Sequence, residues 1–199
     1  MQITQYDVVN WNDIYNILLE LARILKHNQI VPEIIVGVSR GGWLPARVLS
    51  DLLDVPQLTS IRVEFYSEIN QPNQKPIITQ PVPLPIHQKQ VLLVDDITDS
   101  GKSLQLAKTE LEKTANKIFT LTLYHKPWSC LTPDFYYQET SKWVIFPWEY
   151  HESMKTLATR MLNEGLTLPI IEQELITIGF PASLVTHFMK DIFGSESND

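Results

Sequence analysis

At 199 residues the chain is long enough for one ordinary globular domain with a short appendage, and its 44% hydrophobic content supports a full core. Lys plus Arg is 16 against Asp plus Glu 23, a formal net charge of −7, which argues against nonspecific nucleic-acid or anionic-membrane binding because either favours a basic surface. A single cysteine, Cys130, forms no internal disulfide and no cysteine zinc site by itself.

The opening residues MQITQYDVVNWND carry no basic start followed by an apolar run, so no signal peptide is expected. The longest apolar runs, such as 34–38 and 91–94, are about one buried strand long, far short of a membrane span. A soluble cytoplasmic protein is expected. There is no internal repeat or low-complexity tract.

Residues 11–26 place Ile14, Ile17, Leu18, Leu21, Ile24 and Leu25 at steps of three and four, predicting a helix with Asn10 or Asn12 as its N-cap. The apolar run 34–38 predicts a strand that ends in Ser39-Arg40-Gly41-Gly42, with a helix following from Trp43. Residues 58–65 predict another strand. Between 66 and 89 stand five prolines, at 72, 76, 81, 83 and 85, which fit either an exposed loop with a short β-ribbon or an interdomain linker. The flanking strands look like parts of one sheet, which favours the loop, and loops this long in compact domains are often lids.

Residues 90–95 predict a buried strand leading into Asp96-Ile97-Thr98-Asp99-Ser100-Gly101, then a helix with Leu104, Leu106, Ala107 and Leu111 at helical spacing. Strands follow at 117–124 and 142–146. Alternating strands and helices with continuous apolar strands predict an α/β fold with a mainly parallel twisted sheet covered on both faces. Ligands of such sheets bind at the carboxyl ends of the strands, where both glycine turns fall. From about Ser153 the pattern becomes helical, with Pro169 and Pro181 suited to first turns and Gly165 and Gly179 to helix stops. This predicts a C-terminal helical appendage, packed on the core or making a dimer contact.

The chemistry sits in VLLVDDITDSGKS, residues 91–103. Paired acids follow an apolar strand, then small hydroxyl residues and a glycine precede a helix. Backbone N–H groups of that turn and the positive end of the helix make an anion site, with Ser100 and Ser103 adding hydroxyl donors. Gly101-Lys102-Ser103 matches the second half of a Walker-type loop, but Asp96 stands where its first glycine belongs and would face the phosphates. No GxGxxG turn is present, and a receiver domain would carry its acidic pair at the first strand. A plain strand-end turn capped by Asp99 explains any one of these residues but not the whole series.

This stretch resembles the phosphoribosyl diphosphate (PRPP) motif of the type I phosphoribosyltransferases. GVSRGGWLPAR, residues 37–47, is similar to that family's pyrophosphate loop, and the proline-rich segment lies where the family carries a mobile lid. Tyr124-His125-Lys126-Pro127, with Lys142-Trp143-Val144-Ile145-Phe146-Pro147-Trp148-Glu149, resembles the base-recognition region of the 6-oxopurine members, nearest the xanthine-guanine branch. Val144 replaces that branch's Ile and Glu149 its Asp. The resemblance covers residues 34–149 and leaves the tail outside.

The resemblance implies a phosphoribosyltransferase domain over residues 1–152, with a mobile loop at about 66–89, and the helical pattern beyond it predicts an extension over 153–199. It implies a purine-salvage transferase that moves the phosphoribosyl group of PRPP to N9 of guanine, xanthine or hypoxanthine. Ser39, Arg40, Gly41, Asp95, Asp96, Thr98, Asp99, Ser100, Gly101, Lys102 and Ser103 are the implied PRPP contacts. Asp99 and Arg40 are the implied catalytic pair, and Asp95 and Asp96 help place Mg²⁺. Lys126, Trp143, Val144 and Glu149 are the implied purine contacts, and Tyr66, Ser67 and Lys75 the implied contacts from the loop. Family members are commonly homodimers or homotetramers, and the same is implied here. A PRPP-binding regulator without turnover, or a transferase for adenine or a pyrimidine, stays open as an alternative.

Overall fold

A computed structural model describes residues 5–66 and 75–193. The order of elements is β1 (Tyr6–Val8), α1 (Trp11–His27), β2 (Ile34–Ser39), α2 (Trp43–Leu52), β3 (Leu58–Tyr66), β4 (Lys75–Gln80), β5 (Gln90–Thr98), α3 (Lys102–Leu111), β6 (Lys117–His125), β7 (Phe135–Glu139), β8 (Trp143–Ile145), a 3₁₀ turn (Pro147–Glu149), α4 (Tyr150–Asn163), α5 (Leu168–Ile178) and α6 (Ala182–Phe193). They fall into two compact units, residues 15–141 and residues 1–14 with 142–199.

The first unit holds a six-stranded sheet in the order β4-β3-β2-β5-β6-β7. Every pair is parallel except β3 with β4. The sheet is therefore mainly parallel, as the uninterrupted apolar strands require. Side chains alternate across it. Ile34, Val36 and Val38 of β2 join Val91 and Leu93 of β5 in a core with Leu104, Ala107 and Leu111 of α3. Each of these larger side chains contributes about 1.5–3 kcal/mol by leaving water. On the opposite face Gly37 admits the start of α2, since a Cβ there would lie 2.9 Å from the Gly42 carbonyl oxygen.

Within the proline-rich segment, β4 pairs antiparallel with β3, Phe65 opposite Pro76 and Tyr66 opposite Lys75. Ser67 and the rest of 67–74 lie outside the described residues. Pro76 in this strand is consistent with its place at the edge of the sheet. The strand expected at 142–146 is β8, and it pairs with β1 in a separate two-stranded parallel sheet rather than closing the main one. Neither β1, three residues long, nor the largely exposed β7 has an apolar run to announce it.

Asn10 caps α1: its side-chain oxygen accepts from the backbone N–H of Asn12 at 2.9 Å and of Asp13 at 3.0 Å. In the second unit α4, α5 and α6 build a core of their own with β8, in which Ile145, Met154, Leu157, Ile171, Leu175 and Val185 are buried. Gly179 ends α5 at φ 122°, a conformation open to glycine and strained for other residues. Among the described residues no helix is long and apolar enough to cross a membrane.

Candidate active site at the carboxyl end of the central strands

The two glycine turns meet because β2 and β5 are neighbours, with Gly37 opposite Val94. After β2 the chain turns through Ser39, Arg40, Gly41 and Gly42, with a cis peptide between Ser39 and Arg40. A Cβ on Gly42 would overlap the carbonyl oxygen of Val94, and one on Gly41 would overlap the Asp96 carboxylate. The double glycine is thus the condition for the first turn to lie flat against β5.

Both of the paired acids at the end of β5 lie against the Gly41–Gly42 turn. Asp95 and Ile97 line a cleft of about 470 Å³, together with Thr98, Asp99, Ser100, Gly101, Lys102 and Ser103. Asp96 meets Gly41. Asp95 Oδ1 accepts the backbone N–H of Asp96 at 3.0 Å, and Asp96 Oδ1 accepts that of Ile97 at 2.8 Å. Burial, then the charge of Asp96, pushes the Asp95 carboxyl well above the usual carboxylate range, opposed by hydrogen bonds from the backbone N–H groups of Asp96 and Gly42.

Ladder pairing between β5 and β6 runs as far as Thr98 opposite His125. Beyond it the chain turns through Asp99 and Ser100 to Gly101, at φ 77°, the N-cap of α3. Gly101 has no side chain to cap that end; Ser100 Oγ accepts the Lys102 N–H at 3.4 Å, and further N–H groups of the first turn can serve an anion in the cleft. Gly101 is needed for space as well as for its φ, because a Cβ would overlap the Ser129 hydroxyl.

Residues 126–131 track the whole turn, a pairing that no local sequence signal announces. Lys126 N–H donates to the Thr98 carbonyl at 3.0 Å and Cys130 N–H to that of Ser100 at 3.1 Å. Trp128 Nε1–H donates to Asp99 Oδ1 at 3.0 Å, and the Lys126 ammonium sits 5.3 Å from the centre of the Trp128 ring. His125 Nδ1 lies 3.0 Å from Thr98 Oγ1, both buried. Trp128 was visible as an aromatic two residues beyond Lys126. What linked it to Asp99 is the β5–β6 register, which local sequence does not encode.

Of the expected purine contacts, Lys126 belongs to the sheet unit and is buried. Trp143, Val144 and Glu149 belong to the other unit. Trp143 is exposed and, with Glu149, Tyr6 and Arg160, lines a second cavity of about 330 Å³. The Val144 side chain is buried, leaving its backbone, on one strand of a two-stranded sheet, as the part able to meet a ligand. Glu149 Oε1 accepts the Phe146 backbone N–H at 3.1 Å, a capping role in the 3₁₀ turn that the sequence reading did not assign. Trp148 stacks on Phe146 with ring centres 4.8 Å apart.

Residues 7–154 match the phosphoribosyl transferase domain family. A xanthine-guanine phosphoribosyltransferase of Cereibacter sphaeroides is 33% identical over 117 residues, 58% of this chain and 68% of that one. Its counterpart in Gluconobacter oxydans is 28% identical over 150 residues, 74% of this chain and 87% of that one. The crystal structure of a purine phosphoribosyltransferase from Pyrococcus horikoshii is 36% identical, covers 72% of this chain and 93% of its own, and superposes with a TM-score of 0.66. Since the matched span takes in both glycine turns and the acidic end of β5, the chain belongs to the phosphoribosyl transferase domain family.

Proposed function

We propose that this protein is a purine phosphoribosyltransferase that transfers the phosphoribosyl group of PRPP to N9 of a 6-oxopurine and releases pyrophosphate. The observation that carries this reading is the cleft itself. Backbone donors at the start of α3, the Ser100 and Ser103 hydroxyls and the Asp95 carboxylate share one concave surface, and relatives of this sequence are xanthine-guanine and purine phosphoribosyltransferases. The turn from Asp99 to Ser103 takes the 5′-phosphate on N–H and hydroxyl groups. Asp95 and Asp96 accept hydrogen bonds from the ribose 2′- and 3′-hydroxyls. Ser39, Arg40 and Gly41 receive the pyrophosphate through backbone N–H groups and one guanidinium.

In the transfer, N9 attacks C1′ as the bond from C1′ to the pyrophosphate oxygen breaks, and the proton on N7 passes to the Asp99 carboxylate. Lys126 donates to O6, which selects a 6-oxo over a 6-amino base. Trp143 gives the purine a flat apolar face, and the Val144 backbone and Glu149 meet the base edge.

The adjacent carboxylates of Asp95 and Asp96 suit Mg²⁺, a hard ion that takes one or two carboxylates and completes its shell from substrate oxygens and water. Among the described residues no group of three or more His, Cys, Asp or Glu is placed to hold an ion. When bound, Mg²⁺ would neutralise charge on the departing pyrophosphate.

The test is pyrophosphate release from PRPP and Mg²⁺ with each of guanine, xanthine, hypoxanthine, adenine, uracil and orotate. Release confined to the 6-oxopurines supports the reading. Release with adenine or a pyrimidine alone, or PRPP binding with no release from any base, overturns it.

A further inference from the structure

Asp99 is the first residue beyond the β5–β6 ladder, and its side chain is exposed. Neither strand pairing nor burial fixes that carboxylate. Its orientation is set by a group from the next loop, the Trp128 indole, whose Nε1–H donates to Oδ1 at 3.0 Å. An indole N–H only donates. It therefore marks Oδ1 as an acceptor and leaves Oδ2 as the oxygen able to take a proton.

The same ring carries the Lys126 ammonium 5.3 Å from its centre, within the range of cation–π attraction. One side chain thus touches both groups assigned to the purine: the acceptor for the N7 proton and the donor to O6. N7 and O6 are neighbours on one edge of the base. The rest of the loop is held separately, by the Lys126 and Cys130 backbone bonds to Thr98 and Ser100.

We infer that Trp128 is a positioning residue that orients Asp99 and Lys126 to match the N7–O6 edge of a 6-oxopurine. This inference rests on the purine reading above. Trp128 is 56% exposed, so its replacement by Phe leaves the fold standing.

The experiment is a double-mutant cycle on the full chain, with kcat and both KM values measured for wild type, Trp128→Phe, Asp99→Asn and the double variant. Trp128→Phe keeps a ring and loses the donor, and it is expected to lower kcat about tenfold, as for a lost hydrogen bond to a charged group. The KM for PRPP should stay within about twofold, since the phosphate turn keeps its backbone bonds. Asp99→Asn should lower kcat about a hundredfold, as for a lost general base. The double variant should be no slower than Asp99→Asn, because a residue acting through Asp99 has nothing left to orient.

A full further loss in the double variant overturns the inference, as does a kcat within about twofold of wild type for Trp128→Phe, or a rise in the PRPP KM that matches the fall in kcat. Trp128→Leu, which also lacks the aromatic face, should erode the preference for guanine over adenine beyond the effect of Phe; equal selectivity overturns the Lys126 half. A wild-type protein that releases no pyrophosphate overturns the purine reading and this inference with it, whereas an active wild type beside an unaffected Trp128→Phe overturns the inference alone.

Discussion

The Asp96 carboxylate occupies the space where a side chain on Gly41 would begin, which ties the turn after β2 to the acidic end of β5. The two turns that the proposed mechanism assigns to opposite ends of PRPP are thereby one packed object. Their spacing depends on the absence of a single carbon atom.

Gly41→Ala tests that dependence. The added Cβ must displace Asp96 or lift the turn, an overpacking that costs about 1–3 kcal/mol. A lowered Tm together with a large loss of pyrophosphate release is expected. Melting curves and the release assay check it, and near wild-type turnover would show that the contact does not govern the site.

Asp95 is held above the usual carboxylate range by burial and by Asp96. The folded state therefore holds its proton more tightly than the unfolded chain does. An acid of this kind makes folding less favourable as pH rises from the ordinary carboxylate value near 4 through its raised folded value. Asp95→Asn should raise Tm at pH 7, by about 2–4 °C for each kcal/mol relieved, while abolishing turnover. The gain should shrink as pH falls toward 4. Thermal unfolding across pH 4–8 measures it, and an unchanged or lowered Tm at pH 7 counts against the burial argument.

Trp143 is 61% exposed, so its truncation leaves the packing intact. Trp143→Ala should raise the purine KM by about tenfold or more, the scale of a lost base–aromatic stack, with little change in the KM for PRPP. Steady-state kinetics with guanine decide it. Equal changes in the two KM values would sink the stacking role.

Tyr150 shows the stability side of the other unit. Its hydroxyl donates to the buried Val9 carbonyl at 2.6 Å, and burial followed by the nearby Asp13 charge raises the phenol above its usual value near 10. Tyr150→Phe leaves that carbonyl without its donor and should cost about 1 kcal/mol, or about 2–4 °C in Tm. In the wild type stability should fall as pH rises through 10, the unfolded phenol's value, toward the raised folded value, and the variant should lose that component. Calorimetry at pH 7 and pH 10.5 reads both.

A net charge of −7 looks unsuited to a highly phosphorylated substrate, and the local arrangement answers it. In the proposed mechanism, backbone dipoles at the start of α3, one arginine and a metal brought with the substrate would supply positive potential without a basic surface. Three of the 23 acids, Asp95, Asp96 and Asp99, are assigned to the site in the proposed mechanism.

The sequence by itself determined much of this protein, because the signals concerned are local. Apolar runs at 34–38 and 91–94 mark the central strands, Asn10 marks a helix start, and Gly179 marks a helix stop. The acids, hydroxyls and glycine of residues 95–103 predict an anion site through residue types that need no partner to be recognised. Tertiary structure alone decided what those residues face. Asp95 lines the cleft and accepts the Gly42 N–H, and Asp96 fills the space beside Gly41, because β2 and β5 are neighbours in the sheet. The strand at 143–145 leaves the main sheet for β1, since strand partners are chosen by packing across more than a hundred residues. Trp128 reaches Asp99 across 29 positions because the register of two parallel strands sets their loops side by side.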